Sequence, residues 1–297
     1  MFVLACIPAY NEESIIGNLV KETLRHVDKV VVCDDGSLDN TFAEAQKAGA
    51  DVIKHEKNFG KGAATRSLFK YAKNSNADII VTIDGDGQFL PEEIPRLVKS
   101  MVENKSDIVI GYRFDSSTEM PHYRKVGNKV LDKMTNLASE LPFRDTQSGF
   151  RAYSKKAVES IRFSTDGFGA DSEILVDASK KGLKISEEKV TVIYETGGKT
   201  STKNPVSHSG EVISSLLELI AIRRPLRYLG IPGLILIAMG TIFGVTVIQT
   251  FNVTRYFSIP FTLVSLGSLI IGMMFLLMSV VLYGVVKSRS LDNSDRI

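Results

Sequence analysis

Two long stretches near the end of the chain contain no charged residue. They are Leu229–Thr250 and Phe261–Val286. An α-helix rises about 1.5 Å per residue, so each stretch is long enough to cross a hydrocarbon core roughly 30 Å thick. The alternative, a buried core helix of a soluble protein, is usually shorter than either run. The sequence therefore predicts a two-helix transmembrane hairpin over residues 229–287, with a short turn at residues 251–260.

Basic residues collect on one side of this hairpin. Those that flank it are Arg223, Arg224, Arg227, Lys287 and Arg289, whereas the turn holds only Arg255. Because basic residues accumulate on the cytosolic side of membrane spans, we expect both termini and the large N-terminal domain to be cytosolic. The whole chain carries 36 Lys and Arg against 34 Asp and Glu. This near-neutral balance argues against a nucleic-acid-binding protein, which needs a basic face.

Strand and helix patterns alternate through the first two-thirds of the chain. Apolar runs predict strands at Phe2–Ile7, Lys29–Cys33, Asp51–Ile53, Asp78–Ile83 and Asp107–Ile110. Helices are predicted between them at Glu13–His26, Thr41–Ala48, Lys61–Lys73 and from Pro91 onward. This alternation predicts an α/β fold with a mostly parallel sheet. Cys6 and Cys33 lie in predicted strands, so we expect both to be buried free thiols in a reducing compartment.

Polar residues follow several of the predicted strands, and ligands of open α/β sheets bind outside the carboxyl ends of the strands. Asp84 and Asp86, followed by Gln88, come directly after the fourth predicted strand. Their oxygens suit Mg²⁺ or Mn²⁺, which shares its coordination sphere with substrate phosphates. An ordinary turn is the alternative for an Asp-x-Asp pair. A cation held here would neutralise a diphosphate leaving group.

Three further segments carry candidate binding groups. Asp34-Asp35-Gly36-Ser37 follows the second strand. It predicts either a turn with a helix cap or a group that accepts hydrogen bonds from a nucleobase or ribose. The glycine-rich segment Asn58–Gly62 precedes a helix, so its amides and Lys61 could meet phosphate, although its spacing differs from a Walker loop. Arg113 lies three residues after the fifth strand and also suits phosphate. An isolated basic residue such as Arg124 more often lies on the solvated surface.

Five motifs occur in the order typical of one enzyme family. They are Pro8-Ala9-Tyr10-Asn11-Glu12, Asp34-Asp35-Gly36-Ser37, Gly60-Lys61-Gly62, Asp84-Gly85-Asp86-Gly87-Gln88 and Asp145-Thr146-Gln147-Ser148-Gly149-Phe150. The ordered set resembles the family-two glycosyltransferases, most closely the dolichyl-phosphate mannose or glucose synthase branch, over about residues 1–205. The resemblance implies a nucleotide-sugar-binding, Rossmann-like A-type glycosyltransferase domain. It further implies an inverting, metal-dependent hexosyl transfer from a UDP- or GDP-sugar to a polyprenyl (dolichyl-type) phosphate, as in protein glycosylation.

The resemblance also implies roles for individual residues. Pro8, Tyr10, Glu12 and Asp35 would hold the nucleotide; Asp84, Asp86 and Gln88 the metal; Lys61 and Arg113 the diphosphate; and Arg124, Ser148, Lys199 and Lys203 the acceptor phosphate. Asp86 and Glu173 would be the catalytic pair, with Glu173 at the acidic position near the acceptor. Two departures from the family pattern stand out. Gly85 replaces the usual Ala, and the loop Gly197–Lys203 is only loosely similar to the basic loop of these synthases.

Two segments flank the predicted hairpin. Residues 206–228 include an amphipathic stretch, Ser207–Arg224, which we expect either at the membrane interface or packed on the catalytic domain, the interface being favoured by its terminal arginines. Residues 288–297 form a polar tail that we expect to be disordered.

Other functions compete with this interpretation. A processive polysaccharide synthase usually carries a Gln-x-x-Arg-Trp signature, and the chain contains no Trp. A nucleotidyltransferase would need a glycine- and arginine-rich phosphate loop near its N-terminus, and the sequence shows no such loop there. A membrane-bound glycosyltransferase with another lipid or glycan acceptor, and a non-catalytic membrane scaffold on the same fold, remain open. The transferred sugar and the base, uridine or guanosine, are open as well.

Overall fold

The computed structural model describes residues 1–113, 132, 135, 136, 139, 142–167, 169–193 and 226–294, with the side chains of the last helix described up to residue 284. Contacts divide the chain into two units, Met1–Leu216 and Leu217–Ile297. The expected domain boundaries at residues 205 and 228 stay predictions, because the first lies outside the described residues and the second within a continuous helical segment.

A seven-stranded sheet organises the described part of the first unit. Its strands are β1 (Val3–Ala9), β2 (Lys29–Asp34), β3 (Asp51–Lys54), β4 (Ile79–Thr82), β5 (Ile108–Tyr112), β6 (Arg151–Ser154) and β7 (Ile185–Lys189). Their spatial order is β3-β2-β1-β4-β6-β5-β7. The first five strands occupy the positions that their apolar runs predict, within one or two residues at each end.

The sheet is mostly parallel, as expected, with one reversed strand. β1 pairs in parallel with β2 and β4, β2 with β3, and β5 with β7. β6 runs antiparallel to both of its neighbours, β4 and β5. It therefore inserts between two strands that are consecutive in the sequence, which the local sequence pattern does not indicate.

Six helices surround the sheet in the described residues. They are α1 (Ile16–Leu24), α2 (Thr41–Lys47), α3 (Lys61–Lys73), α4 (Ile94–Asn104), α5 (Lys155–Ser160) and α6 (Ala170–Lys180). α3 has the predicted bounds and begins directly after Gly60, whose φ of 100° is a conformation that favours glycine. Pro91 opens a single 3₁₀ turn, Pro91–Glu93, which leads into α4.

Two apolar clusters lie on opposite faces of the sheet. Alternate residues of β1 belong to different clusters: Ala5 and Ile7 to one, Leu4 and Cys6 to the other. A strand buried on both faces gives the continuous apolar run seen in the sequence. Cys6 and Cys33 are both free and buried, which confirms the predicted burial of the two thiols.

The second unit contains two helices long and apolar enough to cross a membrane. A π-turn at Leu226–Gly230 leads into α7 (Ile231–Thr254), and α8 spans Ile259–Ser294. Each candidate span contains an 18-residue window of mean hydropathy 2.3, and only 17% and 22% of the two windows are buried within the protein. A core helix of a soluble protein would be mostly buried, so the low burial favours membrane spans.

Small residues let the two helices approach closely. A Cβ at Gly240 would lie 2.9 Å from the carbonyl oxygen of Ser265, and Ser265 Oγ donates a hydrogen bond of 2.8 Å to the carbonyl of Gly240. A Cβ at Gly272 would lie 2.8 Å from the carbonyl of Gly233. Close backbone approach at glycine, with hydroxyl hydrogen bonds across the interface, is typical of membrane helix pairs.

The tail prediction is wrong for residues 288–294, since α8 continues through Ser294. Neither Gly nor Pro interrupts the segment after Gly284, so the helix has no sequence signal to stop. The amphipathic stretch Ser207–Arg224 lies outside the described residues.

Candidate donor and metal site

Loops that follow β1, β2 and β4 meet at one edge of the sheet. The backbone N–H of Asn11 donates to Ser37 Oγ at 2.9 Å, and Leu38 N donates to Asn11 Oδ1 at 2.9 Å. Glu12 N donates to Thr41 Oγ1 at 2.8 Å. The motif around Tyr10 is thus tied to the motif around Asp35, because β1 and β2 are neighbours that end at the same edge.

The ends of β1 and β4 are packed just as closely. A Cβ at Gly85 would lie 2.8 Å from the carbonyl oxygen of Pro8. Alanine at position 85 would therefore require the backbone of this chain to shift, which gives a physical reason for the glycine. Pro8 and Tyr10, the expected nucleotide contacts, are both half-buried at this edge.

Asp35 is almost completely buried and accepts hydrogen bonds from the glycine-rich segment. Its Oδ1 accepts from Phe59 N at 3.1 Å, and its Oδ2 accepts from Gly60 N at 2.7 Å. His55 Nδ1 lies 2.6 Å from Asp35 Oδ1. The structure thus joins two motifs that the sequence presents separately, and it adds His55, a residue that sequence reasoning missed.

Lys61 bridges two carboxylates at the start of α3. Its Nζ lies 2.8 Å from Asp84 Oδ1 and 2.9 Å from Asp171 Oδ2, and its side chain is 16% exposed. Burial lowers the pKa of Lys61, but the charges and hydrogen bonds of Asp171 and Asp84 outweigh it and hold that pKa above its usual value. Lys61 is therefore a buried cation beside the Asp-x-Asp motif.

Asp84 is held from its other side by Gly149. A Cβ at position 149 would overlap both carboxylate oxygens of Asp84. The carbonyl of Gly149 accepts a hydrogen bond of 2.8 Å from Thr82 Oγ1, which anchors the segment to β4. The Gln147–Phe150 part of the fifth motif thus forms one wall of the site.

Negative charge is crowded around Asp86. Burial and then the charge of Asp84 raise the pKa of Asp86 to about 6, although Gln88 N donates to Asp86 Oδ1 at 3.1 Å. Burial and then the charges of Asp86 and Asp39 raise the pKa of Glu12 to about 8. Half-buried carboxylates that repel one another are suited to a bound cation.

The side chains of this turn suit a cation that is bound partly by the protein and partly by substrate phosphates. Within the described ranges, no group of three or more His, Cys, Asp or Glu side chains is arranged to hold a metal ion. Mg²⁺ is commonly bound by only one or two carboxylates plus substrate phosphates, with water completing its coordination. Asp84 and Asp86 match that pattern, and Gln88 adjoins them on the same turn.

Arg113 is clamped by Asp145. Its Nε and Nη2 lie 2.7 Å and 2.9 Å from the two carboxylate oxygens, and its backbone N–H donates to Asp145 Oδ2 at 3.0 Å. Asp145 is fully buried. A planar two-bond pair of this kind orients the guanidinium rigidly, so Arg113 stands at a defined place after β5.

The acidic side chain of this helix that contacts Lys61 is Asp171. The carboxylate of Glu173 accepts hydrogen bonds from Ser164 N at 3.0 Å and Thr165 N at 2.9 Å, whereas Asp171 contacts Lys61. Two residues along a helix differ in direction by about 200°, so the pair cannot face the same side of α6. The orientation of α6 thus brings Asp171 onto Lys61, while the acceptor-side role expected for Glu173 stays a prediction.

The remaining predicted acceptor residues are not brought together by the described structure. Ser148 is fully buried, and its Oγ accepts a hydrogen bond of 3.3 Å from Phe150 N. Arg124, Lys199 and Lys203 lie outside the described residues. Their roles stay predictions.

Comparison with known proteins places the sequence and the fold. The family described as "Glycosyl transferase family 2" matches residues 4–162. A UDP-N-acetylglucosamine–dolichyl-phosphate N-acetylglucosaminyltransferase of Methanococcus voltae is 36% identical over 211 residues, which cover 63% of this chain and 84% of that protein. A dolichyl-phosphate hexose transferase of Haloferax volcanii is 31% identical over 195 residues, with coverages of 64% and 82%.

A solved structure confirms the expected fold class. Glucosyl-3-phosphoglycerate synthase from Mycobacterium tuberculosis, crystallised with Mn²⁺, UDP-glucose and phosphoglyceric acid, superposes with a TM-score of 0.58 at 23% sequence identity. The match covers 73% of this chain and 79% of that one. The mostly parallel mixed sheet is thus the A-type glycosyltransferase fold that the family resemblance implies.

Proposed function

The chain belongs to glycosyl transferase family 2, and from that premise we propose that it transfers a sugar from a nucleoside-diphosphate sugar to a polyprenyl (dolichyl-type) phosphate. The observation that carries the proposal is the convergence of Asp35, Lys61, Asp84 and Asp86 at the carboxyl ends of neighbouring strands. The names of the methanogen and haloarchaeal relatives, both dolichyl-phosphate sugar transferases, support this acceptor class. Transfer in this family proceeds with inversion at the anomeric carbon.

The proposed site for the sugar donor has two parts. One part accepts hydrogen bonds from the nucleoside, and the other places positive charge beside the diphosphate. Pro8, Tyr10, Glu12 and Asp35 surround the nucleoside in this proposal, and Lys61 and Arg113 lie toward the diphosphate. A cation in a water-poor site stabilises developing negative charge much more strongly than it would in bulk water. Lys61, buried and charged, would act in this way on the departing diphosphate.

Asp84, Asp86 and Gln88 would hold Mg²⁺ or Mn²⁺ together with the donor phosphates. When bound, the metal ion neutralises the diphosphate leaving group. The crowding of half-buried carboxylates around Asp86 supports the metal site, and the mycobacterial synthase of the same fold was crystallised with Mn²⁺ and UDP-glucose.

The acceptor chemistry places few demands on the protein. A phosphate monoester is already ionised near pH 7, so no strong general base is needed. It must be positioned against the anomeric carbon while its charge is screened. We propose that Arg124, Ser148, Lys199 and Lys203 meet this phosphate, with Glu173 as the acidic residue at the acceptor side. Asp171 would act by holding Lys61.

The two apolar helices would anchor the enzyme where its lipid substrate resides. A polyprenyl chain cannot leave the bilayer, so a membrane anchor keeps the enzyme and acceptor together. We propose that both termini and the catalytic unit are cytosolic, because basic residues flank the spans on that side. A cysteine introduced by Ser290→Cys should then be labelled only in permeabilised cells. Labelling of this cysteine in intact cells would contradict the proposed topology.

The activity can be tested directly. Membranes containing the full chain are incubated with polyprenyl phosphate, Mn²⁺ or Mg²⁺ and a panel of radiolabelled UDP- and GDP-sugars, and the lipid is then extracted. We expect one donor to label the lipid, with the product anomer opposite to that of the donor. An absence of labelled lipid with every donor contradicts the proposal, and label in a soluble or glycan product points to another acceptor. Release of the sugar as a free hydrolysis product only would also contradict it.

A further inference from the structure

His55 connects three segments on the nucleoside side of the site. Its Nδ1 lies 2.6 Å from Asp35 Oδ1 at the end of β2, and its Nε2 lies 2.8 Å from Ser67 Oγ on α3. Its backbone N–H donates to the carbonyl of Asp34 at 2.9 Å, which extends the pairing of β3 with β2 by one residue. The side chain is only 14% exposed.

The two partners of the imidazole assign its tautomer. A carboxylate can only accept, so the proton lies on Nδ1 and is donated to Asp35 Oδ1. Nε2 then accepts from the hydroxyl of Ser67, with Cys33 Sγ, a weak donor, 3.6 Å away. A histidine held at both nitrogens has a fixed ring orientation, and it fixes its carboxylate partner in turn.

Asp35 uses the rest of its carboxylate to hold the glycine-rich segment. Phe59 N donates to Oδ1 and Gly60 N to Oδ2, one residue before Lys61 begins α3. The ring of Phe59 also meets the imidazole edge-on, with centroids 5.5 Å apart. A change in the Asp35 rotamer would therefore move the segment that positions Lys61.

Close packing of the backbone leaves little room for compensation. A Cβ at Gly36 would lie 2.6 Å from Asn58 N, so the turn after Asp35 packs directly on the glycine-rich segment. A Cβ at Gly60 would lie 2.5 Å from the carbonyl of Asp166. The segment is thus confined on two sides, and the Asp35 carboxylate joins it by hydrogen bonds to the turn after β2.

We propose that His55 is a positioning residue for the nucleotide of the sugar donor. By donating from Nδ1, it fixes the Asp35 carboxylate in the orientation that both faces the nucleoside and holds the segment leading to Lys61. The inference rests on the proposed function, in which Asp35 and Lys61 belong to the donor site. It assigns to His55 an effect on donor binding and none on the acceptor.

Two substitutions of similar polarity separate this role from a general structural one. In His55→Asn the amide nitrogen stands the same number of bonds from Cβ as Nδ1, so the donor to Asp35 is kept. In His55→Gln the amide nitrogen replaces Nε2 instead, and the donor to Asp35 is lost. We expect His55→Asn to bind nucleotide within about threefold of the wild type. We expect His55→Gln and His55→Ala to bind about tenfold more weakly, which corresponds to 1.4 kcal/mol.

The measurement is isothermal titration of the full-length protein in detergent with UDP, and in parallel with GDP, in the presence of MnCl₂. Steady-state kinetics should show the same change in KM for the sugar donor and an unchanged KM for polyprenyl phosphate. His26→Ala is the matched control, because His26 follows α1 beside the amino-terminal end of β1, at the opposite edge of the sheet. It should leave every value unchanged.

The outcomes separate the two levels of the argument. If the wild type binds neither nucleotide, the proposed function fails, and this inference fails with it. If the wild type binds but the Asn and Gln variants have equal affinities, the inference alone is overturned. A change in acceptor KM of the same size as the change in donor KM would also overturn it, because a general loss of structure affects both substrates.

Discussion

The ammonium of Lys61 lies 2.8 Å from Asp84 Oδ1 and joins it to Asp171, a residue 87 positions later in the chain. The pair connects the glycine-rich segment to the Asp-x-Asp motif, and through Asp171 to α6. One lysine side chain thus holds three separate segments of the chain together at the candidate site.

Replacing Lys61 by Met should strongly impair donor use. The change removes the cation but keeps a similar length of side chain, so Asp84 and Asp171 are left buried without it. We expect kcat/KM for the sugar donor to fall on the order of a hundredfold, about 2.7 kcal/mol of transition-state stabilisation. Lys70→Met, at an exposed position of the same helix, is the control and should retain activity. Equal kcat/KM values for the two variants would contradict the role of Lys61.

Asp86→Asn should weaken binding of the metal ion and abolish sugar transfer. The amide keeps the shape of the side chain but loses the charge that attracts a divalent cation. We expect less than about one per cent of wild-type transfer, and weaker binding of Mn²⁺ in the presence of UDP by electron paramagnetic resonance. Glu92→Gln, an exposed position on the following turn, serves as the control. A folded Asp86→Asn enzyme with normal Mn²⁺ binding would rule out this metal ligand.

Gly149→Ala should displace Asp84 without adding or removing any charge. The new methyl group would overlap both Asp84 oxygens, so the carboxylate has to turn away from its present position. We expect donor kcat/KM to fall at least about tenfold, or 1.4 kcal/mol. Gly17→Ala in α1, where a Cβ would lie 3.6 Å from its nearest neighbour, should have no such effect. Full activity of Gly149→Ala would mean that the position of Asp84 is unimportant.

Both cysteines should resist alkylation in the folded protein. Burial, followed by the charges of Asp35 and Asp34, raises the pKa of Cys33 to about 12, and burial raises the pKa of Cys6 well above its usual range. Because the thiolate is the reactive form, iodoacetamide at pH 8 should modify neither thiol until the chain is unfolded. Ser14→Cys, at an exposed position, should react quickly and serves as the control.

The same pKa shifts predict how stability depends on pH. Above about pH 9 the unfolded chain loses its thiol protons while the folded protein keeps them, so the free energy of unfolding falls as pH rises. The loss is about 1.4 kcal/mol per pH unit for each thiol up to the pKa of the folded state. The thermal midpoint of a Cys6→Ala, Cys33→Ala double variant should therefore be less sensitive to pH between 9 and 11 than that of the wild type. Equal sensitivity would contradict the shifts.

Lys203→Ala should weaken the use of the lipid acceptor alone. A charge-assisted hydrogen bond contributes roughly 1.5–3 kcal/mol, so acceptor kcat/KM should fall on the order of tenfold to a hundredfold at saturating donor. Lys199→Ala should act in the same direction, and Lys99→Ala, on the exposed face of α4, should not. If neither loop variant changes the acceptor dependence, these lysines do not meet the acceptor phosphate.

Several features of the fold follow from local sequence alone. The helix Lys61–Lys73 has its predicted bounds because Gly60 ends the preceding segment and helical periodicity is a short-range property. The first five strands and both apolar helices follow from continuous apolar runs in the same way. The reversed strand β6 does not, since its partners β4 and β5 lie tens of residues away and nothing local specifies pairing direction.

The amino-acid pattern is enough to predict which chemical groups are present: an Asp-x-Asp carboxylate pair after a buried strand, a glycine-rich segment with Lys61, and two membrane-length helices. Which of these groups meet depends on the fold. It brought Asp171 of α6 onto Lys61, paired Arg113 with Asp145, and brought His55 onto Asp35. The difference lies in the sequence separation of the interacting residues. Backbone periodicity depends on residues a few positions apart, whereas the site is assembled by strand order and helix rotation, which depend on packing across the whole domain.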